Sequence, residues 1–321
     1  MSSAASPIDL VPPDISRWRS GNTGVEYVWR WTASEPGPNV AITALMHGNE
    51  ICGAIALDQL LREEVRPARG TLTLAFLNVD AFATFDPKDP HASRYLDEDM
   101  NRVWDRATLE GSRGSRELRR TRATRRFFDD ADFLLDIHSM TNANAPMMLT
   151  GMADRHTAFA RRLRAPSYLV RDAGHESGAR LRDYGRFADP AATPVALLIE
   201  CGQHWANATA EVATDAAWRF LAASGILDPA DAAHRLAQAR APQRCVLVTH
   251  RVDVSHDDFK FTEDYVGLEI IARAGTIFAR ERGRDFHTPY DDCVLIMPAR
   301  RIVRGTTAVR LGRFEWSEGG G

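Results

Sequence analysis

The sequence has few cysteines, no long apolar run and no excess of one charge, and each shortage removes a class of protein. Its four cysteines (Cys52, Cys201, Cys245, Cys293) stand far apart and form no CxxC pair, so neither a disulfide framework nor a cysteine zinc site is expected. No stretch approaches the ~20 apolar residues that span a bilayer, and the start MSSAASPIDLVPPD has neither a basic nor an apolar leader region. The expectation is a soluble, cytoplasmic protein with no membrane partner. Lys plus Arg number 40 against 43 Asp plus Glu, and the formal charge of -3 makes no field that would gather nucleic acid. The seven arginines within residues 113–126 accordingly read as a solvated helix face, because no aromatic platform is interleaved with them.

With 321 residues, 44% of them hydrophobic, the chain can bury a sizeable core, and two domains are expected. Short apolar runs at 25–32, 40–46, 72–77, 133–137, 147–149, 168–170 and 195–199 read as strands. Helical spacing lies between several of them, notably over 51–64, and again over 205–223 and 228–240. Alternating strands and helices predict an α/β fold with a mostly parallel sheet flanked by helices. At Ala241-Pro242 the character changes to short β-like pieces broken by Gly267, Gly275, Gly283 and Pro298. The expected division is a catalytic α/β domain over 1–241 and a smaller β-rich C-terminal domain over 242–321, ending in a frayed glycine tail at 319–321.

Chemistry gathers at three strand ends. His47 and Glu50 sit in MHGNE, between the apolar strand at 40–46 and a helix, with Gly48 allowing a tight fold between them. Alone, the pair has a structural reading as well, since a carboxylate favours the positive end of a helix dipole. His138 ends a second apolar strand, FLLDIH, where Asp136 shares its strand face and serves either to fix an imidazole tautomer or as a strand-end hydrogen bond. Glu200 ends a third, VALLIE, as a carboxylate in apolar surroundings. Two histidines and a glutamate around zinc leave a coordination position for water, and a separate carboxylate can act as general base.

Four motifs in order, HGNE (47–50), the stretch from Arg94-Tyr95 to Asp99-Met100-Asn101-Arg102, DIH (136–138) and IECG (199–202), make the sequence resemble the zinc-dependent succinylglutamate desuccinylase/aspartoacylase family. That family is related in fold to metallocarboxypeptidases. The resemblance covers about 40–202 and is looser near Gly275 and 294–298. It implies one zinc ion per chain held by His47, Glu50 and His138, with Glu200 activating water and then protonating the leaving amine. It implies that Arg94 helps polarise the scissile carbonyl and that Asn101 and Arg102 hold the substrate's carboxylate. Tyr290, in HTPYDDC, matches a C-terminal tyrosine that reaches back to the substrate.

Other readings stay open at several positions. Arg94 and Arg102 could form surface ion pairs with Asp97, Glu98 or Asp99. Arg180, Arg182 and Arg186 are candidates for further basic groups in the pocket. Met100, Trp104, Met147 and Met148 suit either an apolar acyl pocket or plain core, and His204 is read as a structural histidine. The function expected is a zinc amidohydrolase acting on a small N-acyl amino acid or similar amide. The alternatives are a metallocarboxypeptidase acting on peptides and a non-catalytic zinc-binding scaffold. Glu200 argues against the scaffold, because a purely structural zinc has no use for a further, non-ligand carboxylate at the strand edge.

Overall fold

The structure, a computed structural model, describes residues 7–228, 230–231, 236 and 242–317. Most of the helix expected over 228–240, the linker residue Ala241 and the glycine tail at 319–321 lie outside the described residues. The strands are β1 (Val28–Thr32), β2 (Asn39–Ala44), β3 (Thr71–Phe76), β4 (Phe133–Met140), β5 (Met147–Leu149), β6 (Tyr168–Arg171) and β7 (Val195–Gln203). They continue as β8 (Arg244–Asp253), β9 (Lys260–Phe261), β10 (Ile270–Ile271), β11 (Ile277–Glu281), β12 (Arg284–His287), β13 (Cys293–Ile296) and β14 (Thr307–Ser317). The principal helices are α1 (Ile51–Arg62), α2 (Arg116–Thr124), α3 (Asp154–Leu163) and α4 (Asn207–Ser224).

Among the described residues, eleven strands form one sheet in the order β1-β3-β2-β4-β7-β5-β6-β8-β14-β13-β10, and β12-β11-β9 form a small second sheet. The fold is mixed α/β, but the sheet is mixed and not mostly parallel. The pairs β2–β3, β2–β4, β4–β7, β5–β6 and β6–β8 are parallel. The antiparallel pairs enter where β1 returns along β3, where β5 reverses beside β7, and through the C-terminal meander of β8, β14, β13 and β10.

The core follows the two-residue period of the strands. Leu135 and Ile137 of β4 and Leu197 and Ile199 of β7 pack with Leu57, Leu60 and Phe220 from α1 and α4 on one face. Leu134 and Ala196 face the other way, onto Met46, Met100, Trp104 and Phe128. Asp136, His138 and Glu200 share the parity of this second face, opposite to α1 and α4. Covering both faces explains why β2 and β7 read as near-continuous apolar runs.

The arginine run is less solvated than expected. It forms α2 and a short turn, with Arg116 and Arg119 exposed. Arg120 turns inward and donates to the carbonyls of Phe76 (2.7 Å), Leu77 (2.8 Å) and Glu26 (2.9 Å), and Arg122 likewise donates to Leu109 and Gly111. Both guanidinia are thus engaged by backbone carbonyls of neighbouring strands and turns. No described helix is long and apolar enough to cross a membrane.

Candidate metal centre and active-site cleft

β2, β4 and β7 are adjacent and parallel, so their C-terminal ends deliver side chains to one sheet edge. His138 is directly opposite Glu200 in register. His47 follows β2 after Leu45, which takes a left-handed φ of 59°. Gly48 is required next: a Cβ there would lie 2.4 Å from both Phe82 N and Ser93 O. The chain then turns into α1, with Glu50 at the N-cap position.

Glu50 does not cap that helix with its side chain. Its carboxylate instead lies between two imidazoles, with Oε1 2.8 Å from His47 Nδ1 and Oε2 2.8 Å from His138 Nδ1. Donor atoms of His47, Glu50 and His138 all lie within 4.8 Å of one another, and all three residues are buried. The outer nitrogen of each ring rests on a second carboxylate. His138 Nε2 is 2.7 Å from Asp136 Oδ2, whose other oxygen accepts the Thr43 hydroxyl, and His47 Nε2 is 2.9 Å from Asp99 Oδ1. This fixes both rings with Nδ1 turned to a common point, the arrangement that metal-binding histidines adopt. Burial alone raises the Glu50 pKa, but the His47 and His138 imidazoles outweigh it and hold the carboxyl well below its usual range. Burial works against charge on His138, yet Asp136 and Glu50 hold its pKa well above the ordinary imidazole value. Two imidazoles and a carboxylate, each imidazole backed by a further carboxylate, fit a divalent ion with the preferences of zinc.

Glu200 stands beside this triad, buried, with Oε2 lacking any hydrogen-bond partner among the described residues. Burial pushes its pKa up to about 8, against the pull of His138 and Arg94. Arg94 places Nη2 3.1 Å from Asp99 Oδ2 and Nη1 3.5 Å from Glu50 Oε1. Desolvation disfavours its charge, but Asp99 and Glu50 more than offset that and raise its pKa. Asn101 is buried and accepts the Leu181 N–H through Oδ1. Arg102 donates to the Asn101 carbonyl at 2.6 Å and reaches Asp99 only at 4.0 Å, so the local ion pair considered for it is loose.

His47, Glu50, His138, Glu200, Arg94, Asn101 and Arg102 all line one cleft of about 1160 Å³. Tyr290 does not. Its hydroxyl bonds Thr249, and its ring packs on the C-terminal core. The reason is that its turn folds back on β8, so the C-terminal segment reaches the cleft through Ile296, Met297 and Arg310 instead. Arg180 lines the cleft but is held by Asp172 at 2.7 and 3.1 Å, Arg182 is bound to the same carboxylate at 2.8 Å, and Arg186 is exposed. Met100, Trp104, Met147 and Met148 are core. His204 is buried against the Ser139 hydroxyl at 2.8 Å, and burial pushes its pKa down to about 3.

Asp99 escaped the sequence reading as a histidine partner, since it stands in an acidic turn that offers ion pairs to two arginines. The signal was available in its place: it caps the turn Met100–Arg102, accepting the Asn101 N–H at 2.8 Å, between Arg94 and the pair Asn101-Arg102. Arg310 carried no signal at all, lying in a strand far from every motif.

The succinylglutamate desuccinylase/aspartoacylase catalytic domain matches residues 36–214. Aspartoacylase of Mus musculus is 32% identical over 119 residues, 34% of this chain, and the chain spans about a third (36%) of that relative. Succinylglutamate desuccinylase from Vibrio cholerae superposes with a TM-score of 0.64 at 17% identity, covering 90% of this chain and 86% of that one. The product-bound ectoine utilization protein EutE (DoeB) from Ruegeria pomeroyi does so with a TM-score of 0.59 at 17% identity, covering 89% and 87%. With more than half of its length matched by the catalytic domain, the chain belongs to the succinylglutamate desuccinylase/aspartoacylase family.

Proposed function

We propose that the protein is a zinc-dependent hydrolase that cleaves the amide bond of a small N-acyl amino acid, with one zinc ion per chain on His47, Glu50 and His138. The observation that carries this reading is the unpartnered, buried Glu200 carboxyl beside the triad, in one cleft with Asn101 and Arg102. A purely structural metal site has no use for a free carboxylate at its side. The names of its relatives, a succinylglutamate desuccinylase and an aspartoacylase, support removal of an acyl group from an amino acid.

Each residue then has a task. Arg102 grips the amino acid's carboxylate with its guanidinium fork, and Asn101 stands beside it. Zinc, when bound, supplies Lewis acidity at the scissile carbonyl and lowers the pKa of water. Glu200 takes the proton from the attacking water and returns it to the leaving amine, a transfer for which a raised carboxyl pKa is suited. Arg94, fixed by Asp99, stabilises the negative charge that develops on the carbonyl oxygen. The catalytic unit is taken to run over 1–241, with 242–321 supplying part of the cleft wall through β13 and β14.

Product analysis tests the proposal. Zinc-loaded protein given N-acetyl, N-succinyl and N-aroyl amino acids beside a dipeptide set should release amine and carboxylate from at least one N-acyl amino acid and prefer it to every dipeptide. Hydrolysis of the dipeptides alone makes it a carboxypeptidase, and no hydrolysis of either set removes the enzyme reading.

A further inference from the structure

Asp172 and Asp183 divide their oxygens unevenly between two buried arginines. Arg180 is bonded through every nitrogen of its guanidinium: Nε to Asp183 at 3.0 Å, and Nη1 and Nη2 to Asp172 at 3.1 and 2.7 Å. Arg182, only 3% exposed, is bonded through Nη2 alone, to Asp172 at 2.8 Å and Asp183 at 2.9 Å. Its Nε has no partner among the described residues, and its Nη1 lies over Gly151, where a Cβ would come within 2.3 Å of it. The electrostatics follow the bonding. Burial disfavours charge on both arginines, but Asp172 and Asp183 outweigh it at Arg180 and raise its pKa, whereas at Arg182 burial and the repulsion of Arg180 prevail and lower it. A desolvated guanidinium with unused N–H groups calls for an acceptor, and for an anionic one before a neutral one.

Arg182 does not line the substrate cleft. It lines a second cavity of about 580 Å³, which shares only Asp172 and His175 with the walls of the cleft. That volume suits a small molecule. The imidazoles in its wall supply no charge, because burial first and neighbouring arginines second push His156 and His175 down to about 4. The remaining carboxylate of the wall, Asp105, is engaged in accepting the Thr108 N–H at 2.8 Å. Phe187, Ala188, Pro190 and Met152 give the cavity an apolar side, and Met152 is left 46% exposed there. A flexible, exposed methionine beside a buried cation with free donors suits a ligand that has an apolar body and an anionic end.

We propose that this cavity is a second binding site, separate from the cleft, for a small carboxylate with an apolar body. The carboxylate takes the free N–H groups of Arg182, and the body lies on Met152, Phe187, Ala188 and Pro190. The proposal does not depend on the deacylase reading of the cleft. A carboxylate fits better than inorganic phosphate, since a doubly charged phosphate faces Asp172 and Asp183 at close range and has nothing to bury against the apolar side.

Calorimetry on zinc-loaded protein tests this with butyrate and benzoate against butyramide, benzamide and inorganic phosphate. The parent should bind at least one of the two acids saturably and about tenfold or more tightly than its amide. That binding should survive both removal of the metal by a chelator and Arg102→Ala, which alter the cleft alone. Arg182→Met should weaken it at least about tenfold. Met152→Glu, a change at an exposed residue that leaves the Arg182 ion pairs in place, should weaken it as much by setting one carboxylate against another, and it decides the matter if Arg182→Met does not fold. The proposal is overturned by no saturable binding, by equal binding of acid and amide, or by phosphate binding more tightly than either acid. It is overturned equally by binding that disappears with the metal or with Arg102, or that is unchanged in a folded Arg182→Met or in Met152→Glu.

Discussion

Asp99 joins the candidate metal site to two arginines of the cleft: one oxygen lies 2.9 Å from His47 Nε2, and the other lies 3.1 Å from Arg94 and 4.0 Å from Arg102. A single carboxylate thus orients the His47 ring, fixes one guanidinium and only loosely restrains another. Burial opposes ionisation of Asp99, yet His47 and Arg94 hold its pKa far below the carboxylate range. Arg94 is locked in place, while Arg102 keeps the freedom to meet a ligand.

Replacing Asp99 by Asn removes the charge behind His47 while keeping the side chain's shape. Zinc affinity, measured by competition with a chelator, should fall by about 10- to 100-fold, the usual cost of losing the partner of a ligating histidine. Unchanged affinity reduces Asp99 to an ion-pair partner of Arg94.

Arg102→Ala separates a pocket residue from a surface one. On a substrate with a free carboxylate the loss should be about 2 to 5 kcal/mol in the transition state, well above the ~1 kcal/mol of an exposed pair. On the matching carboxamide the loss should be small. The measurement is kcat/KM for both substrates with both proteins, and equal losses contradict the assignment.

Asp172 predicts an acid-side stability dependence away from the metal. Burial raises its pKa, but Arg180 and Arg182 prevail and hold it well below the ordinary value. The folded pKa is thus below the unfolded one of about 3.9, so its contribution is present above about pH 4 and is lost as pH falls towards the folded value. Asp172→Asn should cost about 3 kcal/mol at neutral pH, because two buried guanidinia lose one of their two counter-charges and keep only Asp183. The variant should also show a weaker decline below pH 4. Urea unfolding of metal-free parent and variant at several pH values checks both, and parallel pH curves contradict the account.

The triad and Glu200 were legible because each sits at the end of a short apolar run, and strand ends in such a sheet share an edge. The sheet's mixed character was not. Met147–Leu149 is three residues long, and nothing in its apolar pattern tells whether it runs with β7 or against it. Nor does local pattern show that β8 and β14 extend the same sheet and so place Arg310 in the cleft. The place of Tyr290 was hidden for the same reason: a turn between two short strands can face either the cleft or its own core, and contacts distant in sequence decide which.

The central claim is that Glu200 moves protons and leaves metal binding to His47, Glu50 and His138. It is tested most directly by measuring bound zinc and turnover on the same Glu200→Gln preparation, with His138→Ala alongside. Glu200→Gln should hold one zinc per chain and lose at least about a hundredfold in kcat, whereas His138→Ala should lose most of its metal. Parent-like turnover in Glu200→Gln, or full zinc occupancy in His138→Ala, contradicts the account.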